Sequence, residues 1–329
     1  MAKRSLADRL DRLIAETLAA EHGAEFVPRD RRLAGLARLA ADLRDLPRPS
    51  FKAHLKNDLE RRASMSTTAV GHIRAGFHTI TPYVTVPQAA EMIDFVKNAF
   101  GAQELFRDTG SAGGIHAEVR IGDSMMMIGG GSAFRGTPTP TMFQYYVPNV
   151  DDVYARAIAA GATERLRLTE DHGDRFGSVR DPFGNEWIVS THLGPRYVPE
   201  GLRDVTIYLH PEGAPKLIDF LKGAFAAEEF VRYDSPEGDV LHAKIRIGDS
   251  IVEMGDSRRH SSSTVLPSMP TAIYLYVPDA DAVYRSAIAA GAVSLSEPAD
   301  QPYGDRLAGV EDFCGNRWYI ATHMGGGAS

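Results

Sequence analysis

The sequence predicts an α+β chain of two tandem domains, each built of two βαβββ modules, preceded by an N-terminal helical segment. Three observations predict it. Stretches between residues 116 and 192 return between 242 and 323. Within each copy the hydrophobic pattern alternates between a strand period and a helix period in a fixed order. Residues 1–64 carry the helix period alone.

The duplication is read directly from three pairs of segments. HAEVRIGDS (116–124) returns as HAKIRIGDS (242–250), seven of nine residues identical. YYVPNVDDVYARAIAAGAT (145–163) returns as LYVPDADAVYRSAIAAGAV (275–293), and HGDRFGSVRDPFGNEWIVSTH (172–192) as YGDRLAGVEDFCGNRWYIATH (303–323). A repeat of this length is a domain rather than a solenoid unit. The predicted boundaries are a helical segment at 1–64, a linker at 65–75, a first domain at 76–195, a second linker at 196–201 and a second domain at 202–324. The joint LGPRYVPEGLR is rich in Gly and Pro, as linkers are.

Inside copy one, TPYVTVP reads as a strand, and QAAEMIDFVKNAF puts Ala89, Met92, Ile93, Val96 and Phe100 on one helical face. QELFRD, IHAEVRI and SMMMIG follow as strands. The cycle repeats: TMFQYYV is a strand, Asn149 caps a helix with Val153, Ala157 and Ile158 inward, and strands follow at 163–169, 176–181 and 186–191. GDRFG and DPFGN read as turns. In residues 1–64, Leu6, Leu10, Leu13, Ile14 and Leu18 share a face, and Pro28, Pro47 and Pro49 separate the helices.

Composition excludes several classes. A chain of 329 residues with 43% hydrophobic and 24% charged residues is an ordinary globular one. A net charge of −7 argues against nucleic-acid binding. Residues 1–64 hold fourteen basic and ten acidic residues, so the excess of acid lies in the body. There is no apolar run of membrane-spanning length and no secretory signal, and Cys314 is the only cysteine. These features lead us to expect a cytoplasmic protein with no membrane partner.

The doubled βαβββ pattern, with ITPYV…AAEMIDFVKNAFGA, HAEVRIGDS, YVPNVDDVYARAIAAGA and GDRFGSVRDPFGNEWIVSTH, resembles the vicinal oxygen chelate superfamily. That superfamily holds glyoxalases, bleomycin and fosfomycin resistance proteins and extradiol dioxygenases. The nearest resemblance is to its PhnB-like branch. It implies paired modules whose sheets curl around a cavity, with His or Glu ligands for one divalent ion in metal-using members. The corresponding positions are Thr81, Met127, Met142 and Ile188 in copy one, and Thr206, Glu253, Ala272 and Tyr319 in copy two. Only Glu253 is a ligand type, since thioether and alkyl groups cannot replace imidazole and carboxylate. No metal and no other cofactor is therefore expected.

Strand alternation assigns the side chains that face such a cavity. We expect ligand contacts from Thr81, Tyr83, Met127, Gln144, Tyr146 and His192 in copy one, and from Tyr208, His242, Glu253, Tyr274, Tyr276 and His323 in copy two. His116 and Glu118, two apart on one strand, suit an oriented general base. The favoured reading is a structural hydrogen bond at a strand edge, repeated at His242, where Lys244 replaces the carboxylate. Asp174 and Arg175, like Asp305 and Arg306, fall in turns, where Asp bonds local backbone and Arg pairs with a carboxylate. Trp187 and Trp318 have core parity.

Three functions fit. The first is metal-independent binding of a hydrophobic or aromatic, cationic small molecule in the cavity of each domain. The second is a lyase, isomerase or dioxygenase-like enzyme using His116 and Glu118. The third is a ligand-sensing regulator acting through its N-terminal helices. Four modules in one chain suit a pseudo-dimeric monomer, and residues 1–64 leave room for a homodimer.

Overall fold

A computed structural model describes residues 71–257 and 267–325. They belong to one compact unit, Val70–Ser329. The helices expected in residues 1–64 lie outside the described residues.

Four βαβββ modules follow one another. Module one is β1 (Ile80–Val86), α1 (Ala89–Phe100), β2 (Gln103–Thr109), β3 (Ile115–Ile121) and β4 (Ser124–Gly130). Module two is β5 (Met142–Tyr146), α2 (Val150–Ala159), β6 (Thr163–Asp171), β7 (Asp174–Arg180) and β8 (Glu186–His192). Module three is β9 (Val205–Leu209), α3 (Ala214–Phe225), β10 (Glu228–Asp234), β11 (Val240–Ile247) and β12 (Ser250–Met254). Module four is β13 (Ala272–Tyr276), α4 (Ala280–Ala289), β14 (Val293–Asp300), β15 (Asp305–Glu311) and β16 (Arg317–His323).

The modules join in two different ways. On the helix side, one apolar core unites modules one and two, and a second unites modules three and four. The sheets are shared otherwise. One eight-stranded sheet runs β14-β15-β16-β13-β1-β4-β3-β2 and the other β10-β11-β12-β9-β5-β8-β7-β6. Module one thus shares a sheet with module four, and module two with module three. The expectation that each repeat would enclose its own cavity is corrected: each helix-free face draws on both copies. The cause is strand pairing, since β1 joins β13 antiparallel and β5 joins β9 antiparallel.

Local chemistry explains the elements. Helix α1 buries the expected stripe plus Phe95 and Ala99, and ends at Gly101, whose φ of 69° suits glycine. Asn149 caps α2 by accepting the Asp152 N–H, and Asp279 caps α4 by accepting that of Ala282. Helix α2 turns Tyr154 inward rather than Ile158, which is 38% exposed. A stripe of Val150, Val153, Tyr154 and Ala157 already satisfies the helical period.

The turn DPFGN is a buried lock. Asp181 accepts the backbone N–H of Phe183 and Asn185 and the Trp187 indole N–H at 3.0 Å. Asn185 in turn accepts the Thr141 N–H. Asp312, Asn316 and Trp318 repeat the arrangement, and Cys314, like Phe183, serves the lock through its backbone N–H alone. Both tryptophans are fully buried, as their parity predicts. The GDR segments differ from expectation: Asp174 and Asp305 open strands β7 and β15, opposite His192 and His323.

Candidate functional site

The candidate site is the helix-free face of each sheet. On the first, Thr81 lies opposite Tyr274, Met127 beside Tyr83, and Tyr319 beside Tyr274. Alternation sends Val84, Met126 and Ile128 to the helices and Tyr83, Met125 and Met127 to this inner face. Tyr274 and Tyr276 join them. The Tyr83 ring meets Tyr319 edge-on at 5.5 Å and His116 at 5.8 Å. Burial raises the Tyr83, Tyr274 and Tyr276 hydroxyls above the ordinary phenol value, so they serve as neutral donors.

Two carboxylates sit in this aromatic lining. Glu118, 5% exposed, pairs with the Arg74 guanidinium and lies 3.7 Å from His116 Nε2. Burial pulls its titration upward, but the bonds from His116 and Arg74 outweigh that and hold it below the ordinary value. Asp305, 2% exposed, accepts the hydroxyls of Tyr274 at 2.7 Å and Tyr276 at 3.1 Å. Its other oxygen meets His323 Nδ1 at 2.7 Å. With Nδ1 donating to a carboxylate, Nε2 is the acceptor side of the ring.

The second inner face is built alike from modules two and three. Gln144 lies opposite Thr206, and Glu253 lies beside Tyr208 and opposite Lys244. Gln144 Nε2 donates to Ser190 Oγ at 2.7 Å. Asp174 meets His192 Nδ1 at 2.6 Å and accepts the Tyr146 hydroxyl at 3.3 Å. Glu253 is 2% exposed; its Oε1 lies 3.6 Å from His242 Nε2 and 3.4 Å from Lys244 Nζ. Its Oε2 has no hydrogen-bond partner among the described residues. Burial pushes this carboxyl up to about 7 against the pull of Lys244.

The carboxylate–imidazole pair is therefore kept on both faces by different strands. On the first face β3 supplies both His116 and Glu118, with Met127 across the ladder. On the second, β11 supplies His242 and Lys244, and the cross-strand residue is Glu253 instead of Met127. His242 and Lys244 both point to Glu253.

Each face is also crossed by a short strap. His323 N donates to His72 O, and His192 N to Tyr197 O. Phe77 N closes a turn onto Arg74 O at 3.0 Å, and Leu202 N closes the same turn onto Pro199 O at 3.2 Å. Ile73 and Phe77 pack on Met125 and Tyr276, and Val198 and Leu202 pack on Tyr146 and Ile251. The described part of the linker at 65–75, and the linker at 196–201, thus lie in the site instead of spanning solvent. Buried apolar side chains in otherwise polar stretches are the physical reason.

The expected contact residues are all present but are sorted differently. Thr81, Tyr83, Met127, Tyr274, Tyr276 and His323 share the first face with His116 and Glu118. Gln144, Tyr146, His192, Tyr208, His242 and Glu253 share the second. Sequence reasoning missed Arg74 and Phe77, and placed Asp174 and Asp305 in turns rather than opposite His192 and His323. For the aspartates a signal existed, since GDR and the closing TH recur together in both copies. Arg175 and Arg306 pair with Asp151 and Asp281 on the helices, as expected of structural arginines. Burial pushes the Cys314 thiol up to about 12, which leaves it inert.

The side chains do not suit a shared divalent ion. Thr81, Met127, Ala272 and Tyr319 offer no imidazole or carboxylate on the first face, and Met142, Ile188 and Thr206 leave Glu253 alone on the second. Among the described residues no group of three or more His, Cys, Asp or Glu is placed to hold an ion. No helix among them is long and apolar enough to cross a membrane.

Comparison with known proteins agrees with this architecture. A sequence model of the glyoxalase/bleomycin resistance protein/dioxygenase superfamily matches residues 70–189. An uncharacterized protein of Mycobacterium bovis is 34% identical over 119 residues, which are 34% of this chain and 78% of that protein. An uncharacterized protein of Mycobacterium tuberculosis is also 34% identical over 119 residues, 34% of this chain and 70% of that protein. Glyoxalase I from Zea mays shares the fold, with a TM-score of 0.55 at 13% identity over 74% of this chain and 92% of that one. The doubled modules, the shared sheets and these relatives place the chain in the glyoxalase/bleomycin resistance protein/dioxygenase superfamily.

Proposed function

We propose that the chain binds a hydrophobic or aromatic, cationic small molecule on its inner faces, without a resident metal ion. The observation that carries this reading is the lining itself. Each face sets one buried carboxylate–imidazole pair, Glu118–His116 or Glu253–His242, among tyrosines and apolar side chains. An apolar lining with few polar groups suits a small organic molecule, and aromatic faces attract cations. Assignment to the PhnB-like branch belongs to the same proposal and rests on the sequence motifs.

The test has two parts. Elemental analysis of protein purified without chelators is expected to find no stoichiometric Zn, Fe, Mn or Ni. A thermal-shift screen of aromatic amines and neutral aromatics is expected to yield stabilising ligands that quench tyrosine and tryptophan emission. A stoichiometric metal, or a screen without a single stabilising compound, refutes the reading.

A second reading, proton-transfer catalysis of the isomerase or lyase type, is favoured by one observation. Asp305 orients His323 with Nε2 as the basic nitrogen, and Asp174 orients His192 in the same way. The pair His116–Glu118 is less suited to this role, because Arg74 holds the carboxylate. Turnover of a carbon acid that is lost in His323→Gln with ligand binding retained supports this reading, and unchanged turnover sinks it. The ligand-sensing role of the N-terminal segment rests on residues outside those described.

A further inference from the structure

The two straps are equivalent in backbone but not in side chain. The turn that closes Arg74 onto Phe77 on the first face closes Pro199 onto Leu202 on the second. Arg74 stacks its guanidinium on the Phe77 ring at 4.1 Å and bonds Glu118 Oε2. Glu118 Oε1 faces His116 Nε2. On the second face Glu253 Oε1 likewise faces His242 Nε2, but Oε2 is buried and has no hydrogen-bond partner among the described residues. Proline has no cation to give it.

A buried carboxylate oxygen without a donor costs free energy, and the first face shows what relieves that cost in these surroundings. The chain's own guanidinium, flat and stacked on an aromatic ring, fills the place. The two faces differ in how the carboxylate is met: Lys244 reaches only Oε1 of Glu253, whereas Arg74 meets Oε2 of Glu118.

We propose that Glu253 Oε2 is the anchor for the amidinium or guanidinium group of an external ligand on the second face, and that Arg74 is the built-in occupant of the equivalent place on the first. The inference rests on the reading that the inner faces bind small organic cations, and it assigns the ligand class to one atom of one face. Under it the duplicated sites have divided their roles: both are crossed by a strap, but the first holds its own Arg74 against the carboxylate, and the second leaves that place for ligand.

The probe is benzamidine, an aromatic amidinium, with neutral benzamide as its control, titrated calorimetrically into the full chain at pH 8. One benzamidine per chain is expected, bound at least about tenfold more tightly than benzamide, as a charge-assisted bond predicts. Glu253→Gln is expected to abolish that preference, and so is Pro199→Arg, which supplies an internal guanidinium. Arg74→Ala is expected to raise the stoichiometry to two by vacating Glu118. Far-ultraviolet circular dichroism checks that each variant is folded. Benzamidine that binds no better than benzamide, or equally well in Glu253→Gln and Pro199→Arg, overturns the anchor while leaving small-molecule binding intact. Failure of both probes together with an empty thermal-shift screen overturns the underlying reading as well.

Discussion

Replacing Glu253 by Gln tests the electrostatics of the second face without changing its shape. Burial raises the carboxyl from 4.5 to about 7, while Lys244 and His242 on β11 and Asp174 on β7 bear on it. A raised carboxyl favours folding while it stays protonated, and that contribution is lost as pH rises toward the folded value. Wild type therefore loses about 2.5 kcal/mol from this group between pH 5 and pH 8. Glutamine cannot ionise and loses nothing. The amide brings its own offset, of about 1 kcal/mol for an unmatched buried N–H, but that offset does not depend on pH. The variant should thus gain on wild type by roughly 2–3 kcal/mol from pH 5 to pH 8. For a unit of this size the gain corresponds to roughly 5–8 °C in melting temperature. Urea denaturation of both proteins at the two pH values measures it. A difference between variant and wild type that is the same at pH 5 and pH 8, within about 0.5 kcal/mol, refutes the assignment of the buried acid.

Other perturbations address the frame around the site. Asp181→Ala leaves the Trp187 indole and two backbone N–H groups unmet in a buried lock, and should destabilise by about 3–5 kcal/mol in chemical denaturation. Asp305→Asn turns one of the two acceptor oxygens into an NH2 and removes the charge, so either Tyr274 and Tyr276 or His323 lose their acceptor, and should cost about 2 kcal/mol by the same measurement. Gly130→Ala places a methyl carbon 1.7 Å from Val86 O at a φ of 140°, so soluble expression should fall and stability drop by roughly 3 kcal/mol or more. Addition of Zn²⁺, Mn²⁺ or Ni²⁺ in slight excess should leave the melting temperature unchanged within about 1 °C, because only Glu253 could serve as a ligand at the family positions.

Much of the fold was legible because it depends on periods within short segments. Val84 and Val86 against Tyr83, or Met126 against Met127, separate by alternation alone, and Asn149 announces a cap. Glu118 and Glu253 were both recognised as inner-face residues. What could not be read was which modules share a sheet, since Thr81 meets Tyr274 through a pairing that no local pattern specifies. The straps were hidden for a related reason. Arg74 and Phe77 lie in a stretch with the composition of a linker, and their partners Glu118 and Tyr276 are distant in sequence. The Asp174–His192 and Asp305–His323 pairs fell between these cases, repeated in sequence but assigned to turns rather than to facing strand ends.

The crossing of the sheets between copies has a consequence for how the chain came to be one molecule. Cut between residues 196 and 201, the half that carries modules one and two would keep its helical core but expose β1 and β5 as unpaired edges. Such edges seek partners, and the other half presents β13 and β9 to meet them. The two halves, co-expressed as separate polypeptides, should therefore recover one another as a one-to-one complex. In the intact chain the linker makes that meeting intramolecular, at an effective concentration on the order of millimolar. Assembly is then independent of dilution, and each half is free to diverge, because it never has to pair with a copy of itself.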